Sequence, residues 1–296
     1  MLYYINDDDV KNNLGFKECI GELKEAFISE GSGESASEAR NRINSNNMVF
    51  ATMPAYYGKR KLAGLKTYIY GKNGFRFVVI AFNTDNPEQL FIIDANVLGQ
   101  IRTGALSALV TSQFVKKESI NYTLIGSGFQ AETQLKAMSE IYKMKHAWVY
   151  SRNFSHAEKF ASNFGFGVTP VNDLAVLKKS DVISSVTDTV KPIFNQEMLP
   201  EKYHINLVGS NVLTSREAAA DVIDGSDIII DENREQSYKE SSEVSNLKDK
   251  SKLIGLKTLF ENPEKYEANR SIFKCLGIGL EDLAAAYIVL KNMSLV

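Results

Sequence analysis

The 296-residue chain is long enough for about two domains. Its 44% hydrophobic, 24% charged and 10% aromatic residues exclude a disordered or fibrous protein. With 34 Lys+Arg against 36 Asp+Glu, a net charge of -2, no overall positive field draws it to nucleic acid or an anionic membrane. The two cysteines, Cys19 and Cys275, form no CxxC pair, which argues against a disulfide framework or a zinc site and makes a reducing cytoplasm the expected location. Met1-Leu-Tyr-Tyr-Ile runs straight into Asp7-Asp8-Asp9 without the basic and apolar segments of a signal peptide, and no window approaches 18 continuous apolar residues. Neither export nor a membrane span is expected. His146, His156 and His204 have no metal-ligand partner at helical spacing, so they are read as surface or capping residues and no metal is expected.

In chain order, Cys19, Ile20, Leu23, Ala26 and Phe27 mark a first amphipathic helix over 16–30, ending near Gly31. The small, polar stretch from Gly31 to Glu38 reads as a loop. β-like runs follow at Met48–Met53, Lys61–Tyr70, Phe75–Phe82 and Gln89–Ile93, with the spacing of an antiparallel sheet. From Ala95 to Phe114 the pattern becomes a long, largely buried helix carrying Val97, Leu98, Ile101, Ala105 and Leu109. After Lys116 strand and helix alternate: strands at 122–126, 147–151, 182–186, 205–208 and 228–231, helices at 129–142 and 155–164. This is the form of a parallel sheet built from βαβ units, so the second domain is expected to be α/β. A last helix, Gly279–Leu290, has no strand after it and is free to pack on the first domain.

The sharpest motif is Gly126-Ser127-Gly128-Phe129-Gln130-Ala131, a G-x-G-x-x-A that follows an apolar strand and opens a helix. One glycine permits the turn, the next admits a pyrophosphate to the backbone, and the small last residue lets helix and strand pack closely; the helix N-terminus offers N–H groups to phosphate. Where an NAD site usually carries an acid at the end of the next strand, this chain reads Val149-Tyr150-Ser151-Arg152-Asn153. Arg152 can stack on adenine and pair with a 2′-phosphate while Ser151 and Asn153 donate hydrogen bonds, so the site leans to NADP(H), with NAD(H) possible. A solvated arginine is the alternative.

In combination with Arg42, Met53-Pro-Ala-Tyr, Gly64-Leu-Lys-Thr-Tyr, Asp94-Ala-Asn-Val-Leu-Gly-Gln-Ile-Arg-Thr-Gly-Ala, His204-Ile-Asn-Leu-Val-Gly-Ser and Phe273-Lys-Cys-Leu-Gly-Ile-Gly-Leu-Glu-Asp, that motif makes nearly the whole chain resemble the ornithine cyclodeaminase/μ-crystallin family, which includes an archaeal alanine dehydrogenase and ketimine reductases. The resemblance implies a homodimer. It also implies a substrate-binding and dimerisation domain of α+β type over 1–117 with 272–296, and a Rossmann dinucleotide-binding domain over 118–271. By the same resemblance Arg42 and Arg102 hold a substrate carboxylate and Lys66 exchanges a proton at the carbon–nitrogen centre beside it. Read as sequence alone, Arg102 needs an anionic partner in its apolar helix, and Lys66 is one lysine among several. Met53 is either a pocket or a core residue. Thr103 looks like a phosphate contact, and further cofactor contacts are expected at Val186, Thr187, Val208, Gly209 and Leu276.

One departure bears on the reaction. In the family, cyclodeaminases and the alanine dehydrogenase carry an aspartate in Gly-(Gly/Ala)-Asp-x-Pro-Gly-Lys, and μ-crystallin-like ketimine reductases lack it; this chain has Gly209-Ser210-Asn211-Val212-Leu213-Thr214-Ser215. An amide at 211 cannot accept a proton as a carboxylate does. Asn211 is therefore read as lining the substrate site of a simpler enzyme, one that reduces a small imino acid or interconverts an amino acid and its oxo acid. An ornithine cyclodeaminase that releases ammonia and proline is the enzymatic alternative, and a nucleotide-binding protein without turnover is the other.

Overall fold

A computed structural model describes residues 1–72, 74–164 and 167–296. The chain divides into two compact units: Met1–Leu106 with Gly277–Val296, and Ser107–Leu276. The chain is a mixed α/β structure, with an α+β first unit and a Rossmann-type second unit.

The first unit begins β1 (Leu2–Ile5), α1 (Asp7–Asn13), α2 (Phe16–Gly31), β2 (Ala36–Ser37), β3 (Asn41–Ser45), β4 (Met48–Tyr57), β5 (Leu62–Gly71), β6 (Gly74–Asn83) and β7 (Leu90–Asp94). The sheet order is β1-β7-β6-β5-β4-β2, with β3 also on β4. All pairs are antiparallel except β1 with β7, which run parallel, a partner the hairpin spacing did not foresee. The Asp7–Asp9 run, read only as evidence against a signal peptide, starts a helix. Asn6 Oδ1 accepts from the Asp8 and Asp9 amides, Asp9 returns the bond to Asn6, and three carboxylates meet the positive end of α1. Asp7 in turn accepts from the Val97 amide at 3.0 Å and Asn96 Nδ2 at 2.8 Å, at the start of α3 (Asn96–Phe114).

The second unit continues with β8 (Ser119–Ile125), α4 (Ala131–Ile141), β9 (Lys143–Tyr150), α5 (Phe154–Ser162), β10 (Val168–Val171), β11 (Val182–Ser185), β12 (Tyr203–Leu207), α6 (Ala220–Gly225), β13 (Ile228–Asp231), α7 (Arg234–Glu240), α8 (Ser242–Ser245), β14 (Leu253–Gly255), α9 (Leu256–Glu261) and β15 (Arg270–Lys274). Its sheet is parallel throughout, in the order β10-β9-β8-β11-β12-β15-β13-β14. Strands β11, β12 and β13 are buried along their whole length, as parallel strands covered on both faces must be. The core includes Ile183, Leu207, Ile229 and Ile272. His204, read as a surface or capping residue, is fully buried instead. It hydrogen-bonds Ser271 Oγ (2.8 Å) and Asn206 Oδ1 (3.2 Å), and burial pushes its imidazole down to about 4, so it is neutral.

The chain closes with α10 (Gly279–Asn292), which returns to the first unit and packs on α2, β4 and β5. Residues that cross-strand pairing places on its side of the sheet, Ala51, Met53, Leu62, Lys66, Val79 and Ala81, are buried.

Candidate functional site

In the first unit β4 and β5 set Met53 opposite Lys66, and Val79 of β6 flanks Lys66 on its other side. Alternation puts Tyr68 on the same face. Lys66 Nζ meets Asp282 of α10 at 3.2 Å (Oδ1) and 3.0 Å (Oδ2). Arg102, on α3, places Nε 3.1 Å from Asp282 Oδ1 and Nη1 2.5 Å from Glu281 Oε2. Its guanidinium crosses Gly277, whose φ is +80° and where a Cβ would come within 2.8 Å of Nη2. A third cation was missed by sequence reasoning. Arg40, just ahead of β3, donates Nη2 to the Gly277 carbonyl (3.3 Å) and Nε to the Met53 sulfur (3.4 Å). Its signal was present, because Arg40 and Arg42 share parity and extended backbone turns both toward one face.

Burial and the neighbouring Arg102 guanidinium push the Lys66 ammonium below the ordinary lysine range, while the Asp282 carboxylate pulls it back up. Lys66, Arg102 and Arg40 are 4%, 6% and 9% exposed, and Glu281 and Asp282 are fully buried. Three cations thus face two carboxylates. The guanidinium of Arg102 and the ammonium of Lys66 share the Asp282 carboxylate in this buried setting. Arg42 stands one row further along, half-buried, with Nε 3.4 Å from Tyr68 Oη. Met53 is fully buried. Thr103 donates its hydroxyl to the Gly99 carbonyl of its own helix at 2.7 Å.

In the second unit a cleft of about 600 Å³ opens at the C-terminal ends of β8, β9 and β11. Of the expected cofactor residues, Gly126, Gly128, Phe129, Ser151, Arg152, Asn153, Val186 and Thr187 line it. Gly126 has φ +110°, and a Cβ there would lie 2.9 Å from the Val186 carbonyl, so the turn admits only glycine. Gln130 occupies the N-cap position of α4 with no side-chain capping bond, and Val208, Gly209 and Leu276 lie beyond the ends of β12 and β15. The lining further includes Ser127, His156, Asp188 and Thr189, which sequence reasoning did not select. A glycine-tight turn, the start of an 11-residue helix and a rim of Ser151, Arg152 and Asn153 suit a dinucleotide's pyrophosphate and adenosine end.

The residue that organises this end of the sheet was also missed. Glu217 Oε1 accepts from Ser185 Oγ (2.7 Å), the Thr187 amide (2.8 Å) and Thr187 Oγ1 (2.9 Å), while Oε2 accepts from the Gly209 amide (2.8 Å). It ties together the loops that follow β11 and β12. Gly209 approaches so closely that a Cβ would sit 2.0 Å from the Thr187 carbonyl. Burial raises the Glu217 carboxyl, and Lys274 together with the donated hydrogen bonds opposes that rise. Sequence carries no signal for Glu217, which lies in a Ser-Arg-Glu-Ala-Ala run without periodicity. Asn211 is exposed in the loop after β12, which Ser210 Oγ closes on the Ser215 carbonyl at 2.9 Å.

Among the described residues no group of three or more His, Cys, Asp or Glu side chains could hold a metal ion, and no helix is long and apolar enough to cross a membrane. The family model for the ornithine cyclodeaminase/mu-crystallin family matches residues 4–295. The chain is 30% identical over 224 residues to the ketimine reductase mu-crystallin of Rattus norvegicus, covering 73% of this chain and 69% of that protein. It is 23% identical to the Delta(1)-pyrroline-2-carboxylate reductase of Colwellia psychrerythraea over 98% of this chain and 99% of the other. The solved structure of the Thermococcus litoralis Delta(1)-pyrroline-2-carboxylate reductase, in complex with NADH and L-proline, superposes with a TM-score of 0.90 at 22% identity, covering 98% of this chain and 97% of that one.

Proposed function

We propose that this chain, which belongs to the ornithine cyclodeaminase/mu-crystallin family, is an NADP(H)-dependent reductase of small 2-imino acids, acting on a ketimine whose carbon–nitrogen double bond stands beside a carboxylate. The observation that carries the reading is the buried cluster of the first unit, in which Arg40 and Arg102 flank a lysine of lowered proton affinity. A 2-imino acid brings a carboxylate that guanidinium groups can bind and places the reacting nitrogen next to it. Arg102, Arg40 and Arg42 bind the carboxylate, which fixes the C=N bond relative to Lys66. Lys66 donates a proton to the imine nitrogen as the carbon is reduced, and its lowered proton affinity makes the ammonium a better acid near neutral pH. The bound dinucleotide supplies the hydride. Gly126, Gly128 and the first turn of α4 hold its pyrophosphate; Ser151, Arg152 and Asn153 receive a 2′-phosphate.

A homodimer completes the reading. The face of the first sheet opposite α10 carries Phe50, Tyr56, Ile69 and Phe82, each 37–45% exposed, in rows set by cross-strand pairing, and a second copy would cover it.

The test follows NADPH oxidation by purified protein with pyrroline-2-carboxylate, piperideine-2-carboxylate, and pyruvate plus ammonia, alongside ornithine with catalytic NAD. Net NADPH consumption with a cyclic imino acid, lost in Lys66→Met, is the expected result. Equimolar proline and ammonia from ornithine over many turnovers would replace the reductase reading with the lyase. Arg152→Ala should weaken NADPH by about 10-fold or more while leaving NADH nearly unchanged, since a charge-assisted hydrogen bond is worth about 1.5–3 kcal/mol. Equal wild-type affinities for the two dinucleotides would overturn the NADP(H) assignment.

A further inference from the structure

The two carboxylates that face the buried cations are not equivalent. Glu281 is divided between tasks: Oε1 accepts the Ile278 amide at 3.0 Å, capping α10, and Oε2 takes Arg102 Nη1. Asp282 touches two cations at once, Lys66 Nζ at 3.0–3.2 Å and Arg102 Nε at 3.1 Å, and is fully buried. A carboxylate needed only to neutralise Arg102 would not also reach the lysine of the opposite layer. We propose that Asp282 is a positioning residue, holding the Lys66 ammonium and the Arg102 guanidinium side by side so that a substrate carboxylate and imine nitrogen meet both in one orientation. This rests on the roles given above to Lys66 and Arg102.

The chemistry follows from what surrounds Lys66. The charged groups packed about it are Arg40 ahead of β3, Arg102 of α3 and Asp282 of α10, with Glu281 beyond Arg102; Met53 and Val79 flank it on the sheet. Asp282 is the anion that touches the lysine directly. Burial, Arg102 and Arg40 all favour the neutral amine, and Asp282 opposes them. Removing its charge should let Lys66 lose its proton at a lower pH and let the two cationic side chains move apart. Lengthening it by one methylene keeps the charge and spoils the geometry.

The experiment compares wild type, Asp282→Asn and Asp282→Glu by two readouts. The first is an NMR titration of 13C-labelled lysine, with the Lys66 Cε signal identified by its loss in Lys66→Met; it needs neither substrate nor turnover. The second is kcat/KM against pH for pyrroline-2-carboxylate with NADPH. In Asp282→Asn the Lys66 midpoint should fall by about one pH unit or more, the basic limb of the rate profile should move the same way, and kcat should fall about 100-fold with dinucleotide affinity unchanged. Asp282→Glu should restore most of the midpoint but little of kcat. A Lys66 midpoint unmoved in Asp282→Asn, or a kcat within about threefold of wild type, overturns the proposal. If Asp282→Asn fails to fold, Asp282→Glu decides: a wild-type kcat there would show that position at this residue is immaterial. Should the wild type reduce no imino acid, the reductase reading falls while the lysine titration still decides whether Asp282 governs Lys66.

Discussion

Gly277 illustrates how little room the buried cluster leaves. A Cβ at this position would lie 2.8 and 2.9 Å from the two terminal nitrogens of Arg102, whose Nη1 is held by Glu281 and whose Nε is held by Asp282, and the backbone stands at φ +80°. Alanine would bring roughly 1–2 kcal/mol of left-handed strain and a collision with a guanidinium that cannot swing away without breaking buried ion pairs. Gly277→Ala should therefore lower kcat/KM by about 10-fold or more, because the carboxylate partner moves, while NADPH binding stays near normal. Steady-state kinetics alongside a dinucleotide titration checks this; an unchanged KM and kcat would show that Arg102 adapts. At this scale the sequence named Lys66 and Arg102, the former only through the family resemblance. It did not name Arg40 or Asp282, whose importance is a matter of which side chains meet across 216 and 237 residues of chain.

Among the elements, the second unit's sheet shows how strand ends are tied. Parallel strands leave their C-terminal loops without ladder hydrogen bonds, and Glu217 supplies four bonds that fix the loops after β11 and β12. Glu217→Gln turns an acceptor at Gly209 or Thr187 into a donor facing a donor. Hydrogen bonds to charged groups contribute about 1.5–3 kcal/mol, so dinucleotide affinity should drop about 10-fold or more by calorimetric titration. Affinity equal to wild type would show that the loops hold their shape without the tether. Strands β8, β9, β11, β12 and β13 and helices α4 and α5 of this unit followed from apolar runs and helical spacing, whereas β10, β14, β15 and α6 to α9 did not. The N-terminal β1 and α1 did not, since β1 is short and its partner, β7, lies 88 residues away from Leu2 at Leu90.

The whole molecule carries two buried titratable groups that oppose one another. Asp231, at the end of β13, is pushed up to about 7 mainly by burial, which the neighbouring Ser237 hydroxyl only partly opposes. Its folded form binds the proton more tightly than the unfolded chain does, so stability is full at low pH and is lost as pH rises from about 4 to 7. His204, held down at about 4, has the reverse sign: folding is stabilised above the unfolded value of 6.5, and that stability is lost as pH falls toward 4. Between about pH 4 and 6.5 the slopes of these two groups offset each other. At about 1.4 kcal/mol per tenfold difference in proton affinity, the change from 3.8 to about 7 amounts to on the order of 4 kcal/mol. Asp231→Asn should melt several degrees above wild type at pH 8 and near it at pH 4, by differential scanning calorimetry. A difference independent of pH would show that Asp231 is not protonated in the folded protein.

The sequence by itself determined the α/β character of the second unit, the glycine turn at Gly126 and the family, because periodicity, glycine at a tight backbone approach and local motifs are properties of neighbouring residues. Tertiary structure alone decided that Arg102 finds its anions in Glu281 and Asp282, that Arg40 joins Lys66, that Glu217 binds two loops, and that His204 is interior. Each depends on partners brought together by strand register and by the return of α10 to the first unit. Burial and the distance to an opposite charge, which set the chemistry of an ionisable side chain, exist only once the chain has folded.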